Sequence, residues 1–129
     1  MDDFSRQIEF LERHSNYARR WLQAKPEWLE WLRSCGQQKI DLPAIRTLLE
    51  LDKTSETGGN QDEAEFMAAL RLARQRLMLW IAFRDLNGMA SLEEVTHSLS
   101  HFAQLAVAKA IAFIRSDLQN RFEIGRAHV

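Results

Sequence analysis

The sequence predicts an all-α fold, a mostly antiparallel helical bundle of about five or six helices built around one long central helix. Two observations carry this prediction. Only two prolines and five glycines interrupt the 129 residues, and these are the residues that most often punctuate helices. No segment alternates apolar and polar residues for long enough to form a strand, whereas apolar residues recur at spacings of three and four.

The length and composition are those of one soluble domain, since 46% of the residues are hydrophobic and 27% are charged. We therefore expect 1–129 to be a single helical domain located in the cytoplasm. The 17 Lys and Arg residues against 18 Asp and Glu residues argue against a nucleic-acid or anionic-membrane partner. No stretch is apolar for the roughly 18 residues that a membrane helix needs. A single cysteine, Cys35, favours a reducing compartment.

Four short helices are expected in the N-terminal part of the chain. Apolar spacing over residues 4–11 predicts the first, and Ser15 is suited to cap the start of the second. Pro26 suits the first position of the third helix, which Gly36 should end in a left-handed conformation. Pro43 is expected to open the fourth.

Residues 52–61 form the only stretch of low hydrophobicity, and we predict an exposed, mobile loop there. Oxygen-bearing side chains in and after it lie at offsets that resemble a calcium loop: Asp52, Thr54, Glu56 and Glu63. The likeness fails at the sixth position, where such a loop needs glycine and Thr57 stands instead. A plain loop is the preferred interpretation.

The longest predicted helix begins at Asn60 or Gln61, runs to about Leu86 and ends at the Asn-Gly pair 87–88. It is apolar on two sides. One stripe comprises Phe66, Leu70, Ala73, Leu77, Trp80 and Ile81, and the other comprises Leu72, Leu79, Phe83 and Leu86. A helix with two apolar sides packs on both, so this helix should lie in the centre of the bundle.

The start of the last helix is predicted from Ser91 and Glu94, the spacing of a capping box in which each side chain binds the other residue's backbone amide. An apolar stripe should turn this helix toward the bundle: Leu92, Val95, Leu99, Phe102, Ala103, Ala106, Ala110, Phe113, Ile114 and Leu118. The segment Ile124-Gly125-Arg126 should break it.

Two histidines are candidate metal ligands. His97 and His101 lie one helical turn apart, the spacing at which two imidazoles can chelate a metal, and Glu93 extends the row. The surrounding string lacks the glutamate that a zinc protease carries after its first histidine, and His14 and His128 lie near the chain ends. A solvated helix edge is the preferred interpretation, and a metal site is the alternative.

The aromatic residues of the N-terminal part lie close to basic ones, a combination that can hold single-stranded nucleic acid by stacking. The residues concerned are Tyr17, Trp21, Trp28 and Trp31, with Arg19, Arg20 and Lys25. Because these aromatics share their helical spacing with leucines, core packing is preferred, and an exposed patch for a partner helix is the alternative. Nothing near Cys35 in the sequence favours a reactive thiolate, so we expect a buried or cap-proximal thiol.

Four arginines lie on the central helix: Arg71, Arg74, Arg76 and Arg84. Arg84 shares a face with Leu70 and Leu77, so its guanidinium should be partly desolvated. It then needs a carboxylate or carbonyl partner, or a stack on Trp80. An ion-paired scaffold is the preferred interpretation, and a dock for a phosphate or an acidic protein is the alternative.

The run LRLARQRLMLWIAFRDLNG at residues 70–88 resembles the N-terminal helical region of the bifunctional glutamine synthetase adenylyltransferase and adenylyl-removing enzymes. The likeness continues in register through LEEVT at 92–96 and upstream through KPEWL at 25–29. It covers about residues 15–122.

The resemblance implies a longer protein that attaches AMP from ATP to a tyrosine of glutamine synthetase and removes it by phosphorolysis, under a nitrogen-regulatory signal protein. The family's catalytic core carries a glycine-rich turn and two aspartates, separated by a single residue, that bind magnesium. Neither occurs in this sequence, where the Gly-Gly pair 58–59 lies in the polar loop.

We therefore expect an N-terminal lead-in to a nucleotidyltransferase core, with no catalytic, cofactor-binding or metal-binding residue and no activity alone. ATP and magnesium belong to the parent protein. The expected partners are the parent's own core, glutamine synthetase and the signal protein. A stand-alone helical protein-interaction module is the alternative.

Overall fold

A computed structural model describes residues 2–51 and 62–127, and these residues form an all-α bundle, as predicted. The six helices are α1 (Asp3–His14), α2 (Asn16–Ala24), α3 (Glu27–Cys35), α4 (Leu42–Leu51), α5 (Glu63–Leu86) and α6 (Leu92–Ala127). Helix α5 packs against α1, α2, α4 and α6, which makes it the central element. The loop prediction for 52–61, the calcium-like positions within it and His128 lie outside the described residues.

Side-chain caps set several helix starts. Asp2, Ser15 and Asp62 each accept a hydrogen bond from the backbone amide three residues further on, at 2.7, 3.0 and 2.7 Å. Each cap satisfies an amide that has no partner within its helix, which contributes about 1 kcal/mol. The prediction for Ser15 is confirmed, and α5 begins at Glu63, slightly later than predicted.

The prediction of a left-handed Gly36 is wrong, because its φ of -58° and ψ of -33° are right-handed. This position requires glycine for space. A Cβ atom on Gly36 would lie 2.6 Å from Cε1 of Phe83, and Phe83 is fully buried. Among the residues that the structure describes, the left-handed glycine is Gly88, with a φ of 72°, in the turn that ends α5 as predicted.

The predicted packing of α5 on two sides holds for its second half. Its buried apolar residues come from both predicted stripes and are Ala73, Leu77, Leu79, Trp80, Ile81 and Phe83; Arg84 is buried beside them. The first half is more open, because Phe66, Leu70 and Leu72 are only half-buried. A cavity of about 290 Å³ lies beside Phe66 and Leu70, between α4, α5 and α6.

Helix α6 differs from its prediction in length and in exposure. It continues through Gly125 to Ala127, so the predicted break is wrong; one glycine inside a helix costs only about 1 kcal/mol. Four residues of the predicted bundle-facing stripe are between 44% and 82% exposed: Leu92, Leu99, Ile114 and Leu118. Since α6 is longer than α5, no described helix covers its whole length. No helix among residues 2–51 and 62–127 is long and apolar enough to span a membrane.

Replacing Leu77 with alanine should lower the free energy of unfolding by about 2–5 kcal/mol, because it leaves a cavity in a helix that is packed on two sides. Leu77 is 1% exposed, whereas Met67 on the same helix is 49% exposed, so Met67→Ala is the matched control. Urea denaturation followed by circular dichroism measures both. A loss below about 0.5 kcal/mol for Leu77→Ala would contradict the position of the core.

Candidate functional site

A buried arginine joins three parts of the fold. Arg84 donates from Nε to Oε2 of Glu94 at 2.6 Å and from Nη2 to Oε1 of Glu94 at 3.1 Å, a two-pronged ion pair. Its Nη1 donates to the carbonyl oxygens of Gly36 and Gln37 at 3.3 and 2.9 Å, and Nη2 also donates to that of Met89 at 3.0 Å. The guanidinium therefore ties the segment after α3 and the α5–α6 turn to the start of α6.

The partner of Arg84 explains why the capping box is only half formed. Ser91 Oγ accepts a hydrogen bond from the Glu94 amide at 3.0 Å, as predicted. The Glu94 carboxylate instead binds Arg84 and accepts a longer bond of 3.4 Å from the amide of Ile40. A buried carboxylate needs charged and hydrogen-bonding partners to offset its lost hydration. The prediction that it turns back to Ser91 is therefore wrong.

The need of Arg84 for a carboxylate or carbonyl partner is confirmed, and the partners are Glu94 and three backbone carbonyls rather than Trp80. A guanidinium has five N–H donors, and these contacts use all of them. The side chain is also only 6% exposed. Arg84 accordingly has no donor left for a phosphate or an acidic protein.

The two histidines lie at an open edge of the bundle. The rings of His97 and His101 are 6.1 Å apart between centroids, and both line a cavity of about 250 Å³ that also includes Asp41 and Glu93. His97 and Glu93 are exposed, whereas His101 is half-buried. In the part of the chain that the structure describes, no three His, Cys, Asp or Glu residues are placed to hold a metal ion.

The tryptophans pack into the bundle, as the preferred interpretation predicts. Trp28 is 1% exposed and stacks on Trp21 with centroids 5.1 Å apart, while Trp31 meets the edge of Trp80 at 5.7 Å. The guanidinium of Arg76 lies over both Trp28 and Trp31, at 5.1 and 5.4 Å from their centroids. This cation–π contact was not predicted, because its members come from helices far apart in sequence.

The remaining polar candidates lie at the surface. The Tyr17 hydroxyl donates to the side chain of Gln75, and burial raises the pKa of Tyr17 above its ordinary value. Arg71 and Arg74 are exposed on α5.

Cys35 is the last residue of α3 and is half-buried. Burial raises the pKa of its thiol from 9.0 to about 11. It lines a cavity of about 170 Å³ together with Trp31 and Trp80. Because the thiolate is the reactive form, this thiol reacts slowly at neutral pH. Its position agrees with the predicted cap-proximal thiol.

Comparison with known proteins places this chain in a family. Residues 6–127 match the family model of glutamate-ammonia ligase adenylyltransferase. The chain is 32% identical over 111 residues to the bifunctional glutamine synthetase adenylyltransferase/adenylyl-removing enzyme of Ralstonia nicotianae, and 30% identical over 108 residues to that of Aromatoleum aromaticum. These matches take in 86% and 84% of this chain and 11% of each relative.

A shorter stretch of 61 residues is 44% identical to the enzyme of the same name from Thioalkalivibrio sulfidiphilus. This stretch makes up 47% of this chain and 6% of that relative. No solved structure matches the chain.

The fold and the site together define an all-helical bundle braced by a buried arginine–glutamate pair. The chain belongs to the glutamate-ammonia ligase adenylyltransferase family, as the resemblance of residues 70–88 indicates. It spans only about a ninth of the length of the Ralstonia and Aromatoleum relatives, whose matched share is 11%.

Replacing Arg84 with leucine should lower the free energy of unfolding by about 3–5 kcal/mol, because the Glu94 carboxylate would stay buried without its charged partner. The double variant Arg84→Leu/Glu94→Leu should recover part of this loss, since it removes both charges. Urea denaturation measures the free energy of unfolding of the unsubstituted chain, the single variant and the double variant.

The exposed pair Arg13–Glu9 provides the control, with side chains 65% and 53% exposed. Glu9→Gln should change the free energy of unfolding by less than about 1 kcal/mol. An equally small change for Arg84→Leu would show that the buried pair does not brace the bundle.

The rate at which Cys35 reacts with a disulfide reagent should rise about tenfold per pH unit from pH 7 to 10, because the native thiolate fraction grows up to a pKa of about 11. The chain unfolded in urea should react about 100-fold faster at pH 8, since its thiol has an ordinary pKa. Absorbance of the released thiol gives both rates. A native rate that levels off by pH 9 would contradict the raised pKa.

Proposed function

We propose that this chain is the N-terminal helical lead-in of a bifunctional enzyme that attaches AMP from ATP to a tyrosine of glutamine synthetase and removes it by phosphorolysis. The observation that carries this proposal is the family match over residues 6–127. Further support comes from the relatives, whose names state both activities and whose matched share is 11% of their length. The nucleotidyltransferase core then lies in a longer cytoplasmic polypeptide.

In this proposal the chain is a scaffold and supplies no catalytic, cofactor-binding or metal-binding residue. The sequence contains neither the glycine-rich turn nor the pair of aspartates separated by a single residue that the resemblance ascribes to the family's core. ATP and magnesium bind that core, and glutamine synthetase and a nitrogen-regulatory signal protein are partners of the whole enzyme. The saturated donors of Arg84 support a bracing role.

A second candidate is a stand-alone helical protein-interaction module, which the exposed apolar side chains of α6 favour. The two candidates differ in the gene. A reading frame that joins this segment to a glycine-rich turn and paired aspartates supports the enzyme, and a frame that encodes these helices alone supports the module.

The chain alone should neither transfer AMP to glutamine synthetase nor remove it. Glutamine synthetase with radiolabelled ATP and magnesium tests transfer, and adenylylated glutamine synthetase with phosphate tests removal. The positive control is the full-length Ralstonia enzyme, and a chimaera in which this chain replaces the matched segment of that enzyme should keep both activities. Turnover by the chain alone, or a folded chimaera without either activity, would contradict the proposal.

A further inference from the structure

The second half of α6 carries a continuous row of exposed apolar side chains, which we call the α6 stripe. Its members are Val107, Ile111, Ile114, Leu118 and Phe122, which are 58%, 45%, 54%, 60% and 65% exposed. Spacings of three and four residues place them within an arc of about 80° on the helix. Single exposed apolar residues are ordinary, but a contiguous row of large ones marks a contact surface.

The opposite side of the same helical segment is already packed. Phe113 stacks on Phe66 of α5 with ring centroids 4.4 Å apart, and Lys109 donates to Glu50 of α4 at 2.6 Å. Helix α6 is therefore apolar on two sides, as α5 is, but the described helices cover only one of them. By the physical argument that holds for α5, the α6 stripe belongs against further protein.

Part of the stripe lies beyond the neighbouring helix. The stack of Phe66 on Phe113 fixes the antiparallel register, so the start of α5 at Glu63 lies level with about residue 116. The remaining residues of α6 extend past that point by about 16 Å at 1.5 Å per residue. Leu118 lies on this extension, where α5 cannot cover it.

A second copy of the chain fits the stripe poorly. The stripe is nearly symmetric about the point between Ile114 and Arg115, so antiparallel pairing would set Val107 of one copy against Phe122 of the other. The same pairing places the two exposed Arg115 side chains next to each other across the two-fold axis. Two positively charged guanidinium groups placed side by side repel each other, which destabilises the antiparallel dimer.

The border of the stripe is basic on one side, where Arg115 is exposed. On the other side Arg121 is paired with Asp117 of its own helix at 3.1 Å, so its charge is already offset. A partner that carries acidic residues beside its own apolar row complements this border. The relatives supply a source for such a partner, since 89% of the length of the Ralstonia enzyme lies outside the match, as the matched share is 11%.

We infer that the α6 stripe docks an amphipathic helix, apolar at spacings of three and four residues and bordered by acidic side chains. That helix belongs to the part of the same longer polypeptide that lies outside these 129 residues. The inference rests on the proposed function, because that function places the chain within such a polypeptide.

The test uses the chimaera of this chain with the full-length Ralstonia enzyme, carrying the photoreactive residue benzoylphenylalanine in place of Leu118. Irradiation followed by peptide mapping should find a cross-link within the same polypeptide, to an acidic-bordered apolar segment outside residues 1–129. The matched control carries the probe at Glu123, which is exposed on the opposite side of the same extension. It should cross-link about tenfold less, because its side chain contacts water.

Cross-links between two copies, seen as a species of twice the mass, would assign the stripe to self-association and overturn the inference. Equal yields at Leu118 and Glu123, or no cross-link at Leu118, would also overturn it.

A second measurement needs no probe. In the chimaera, Leu118→Asp should lower the unfolding temperature and Gln119→Asp, on the exposed flank, should not; in the isolated chain neither should change it. Equal unfolding temperatures for the two chimaeras would overturn the inference. Both measurements report contact and not turnover. A chimaera that behaves as expected but does not act on glutamine synthetase would refute the proposed function and leave the docking surface standing.

Discussion

A buried ion pair joins the two longest helices of the bundle, between Arg84 at the end of α5 and Glu94 at the start of α6. Burial of two charges is tolerable only when each finds partners, and here the guanidinium also binds three backbone carbonyls. Two of them belong to Gly36 and Gln37, just after α3. The pair thereby fixes the α5–α6 turn and draws the end of α3 onto α5, where only a residue without a side chain fits beside Phe83.

Local patterns were sufficient to predict the helices and the central position of α5, because helical periodicity and caps act over a few residues. Desolvation alone was sufficient to predict that Arg84 needs a partner. The identity of that partner required tertiary structure, since Glu94 also fits a local capping motif and the buried charge outweighs that motif. The role of Gly36 and the contact of Arg76 with Trp28 and Trp31 were beyond sequence reasoning for the same reason.

Helix α6 shows a different limit of pattern analysis. An apolar face predicts that something covers it, and the simplest assumption is that the covering residues lie in the same chain. Leu118 is exposed on the part of α6 that extends past the start of α5, and Leu99 and Ile114 are exposed on sides of α6 that no described helix covers. The family match gives a physical context for this exposure, since the relatives contain far more polypeptide than the part that aligns.

Burial is distributed unevenly along α5, and this has a dynamic consequence. The buried residues of α5 all lie between Ala73 and Arg84, whereas Phe66 and Leu70 border a cavity. Local opening of a helical protein begins where few buried contacts resist it. Amide exchange should therefore be slowest around the Arg84 pivot and fastest at the cavity end, so that α5 and α6 can splay apart at one end while remaining hinged at the other.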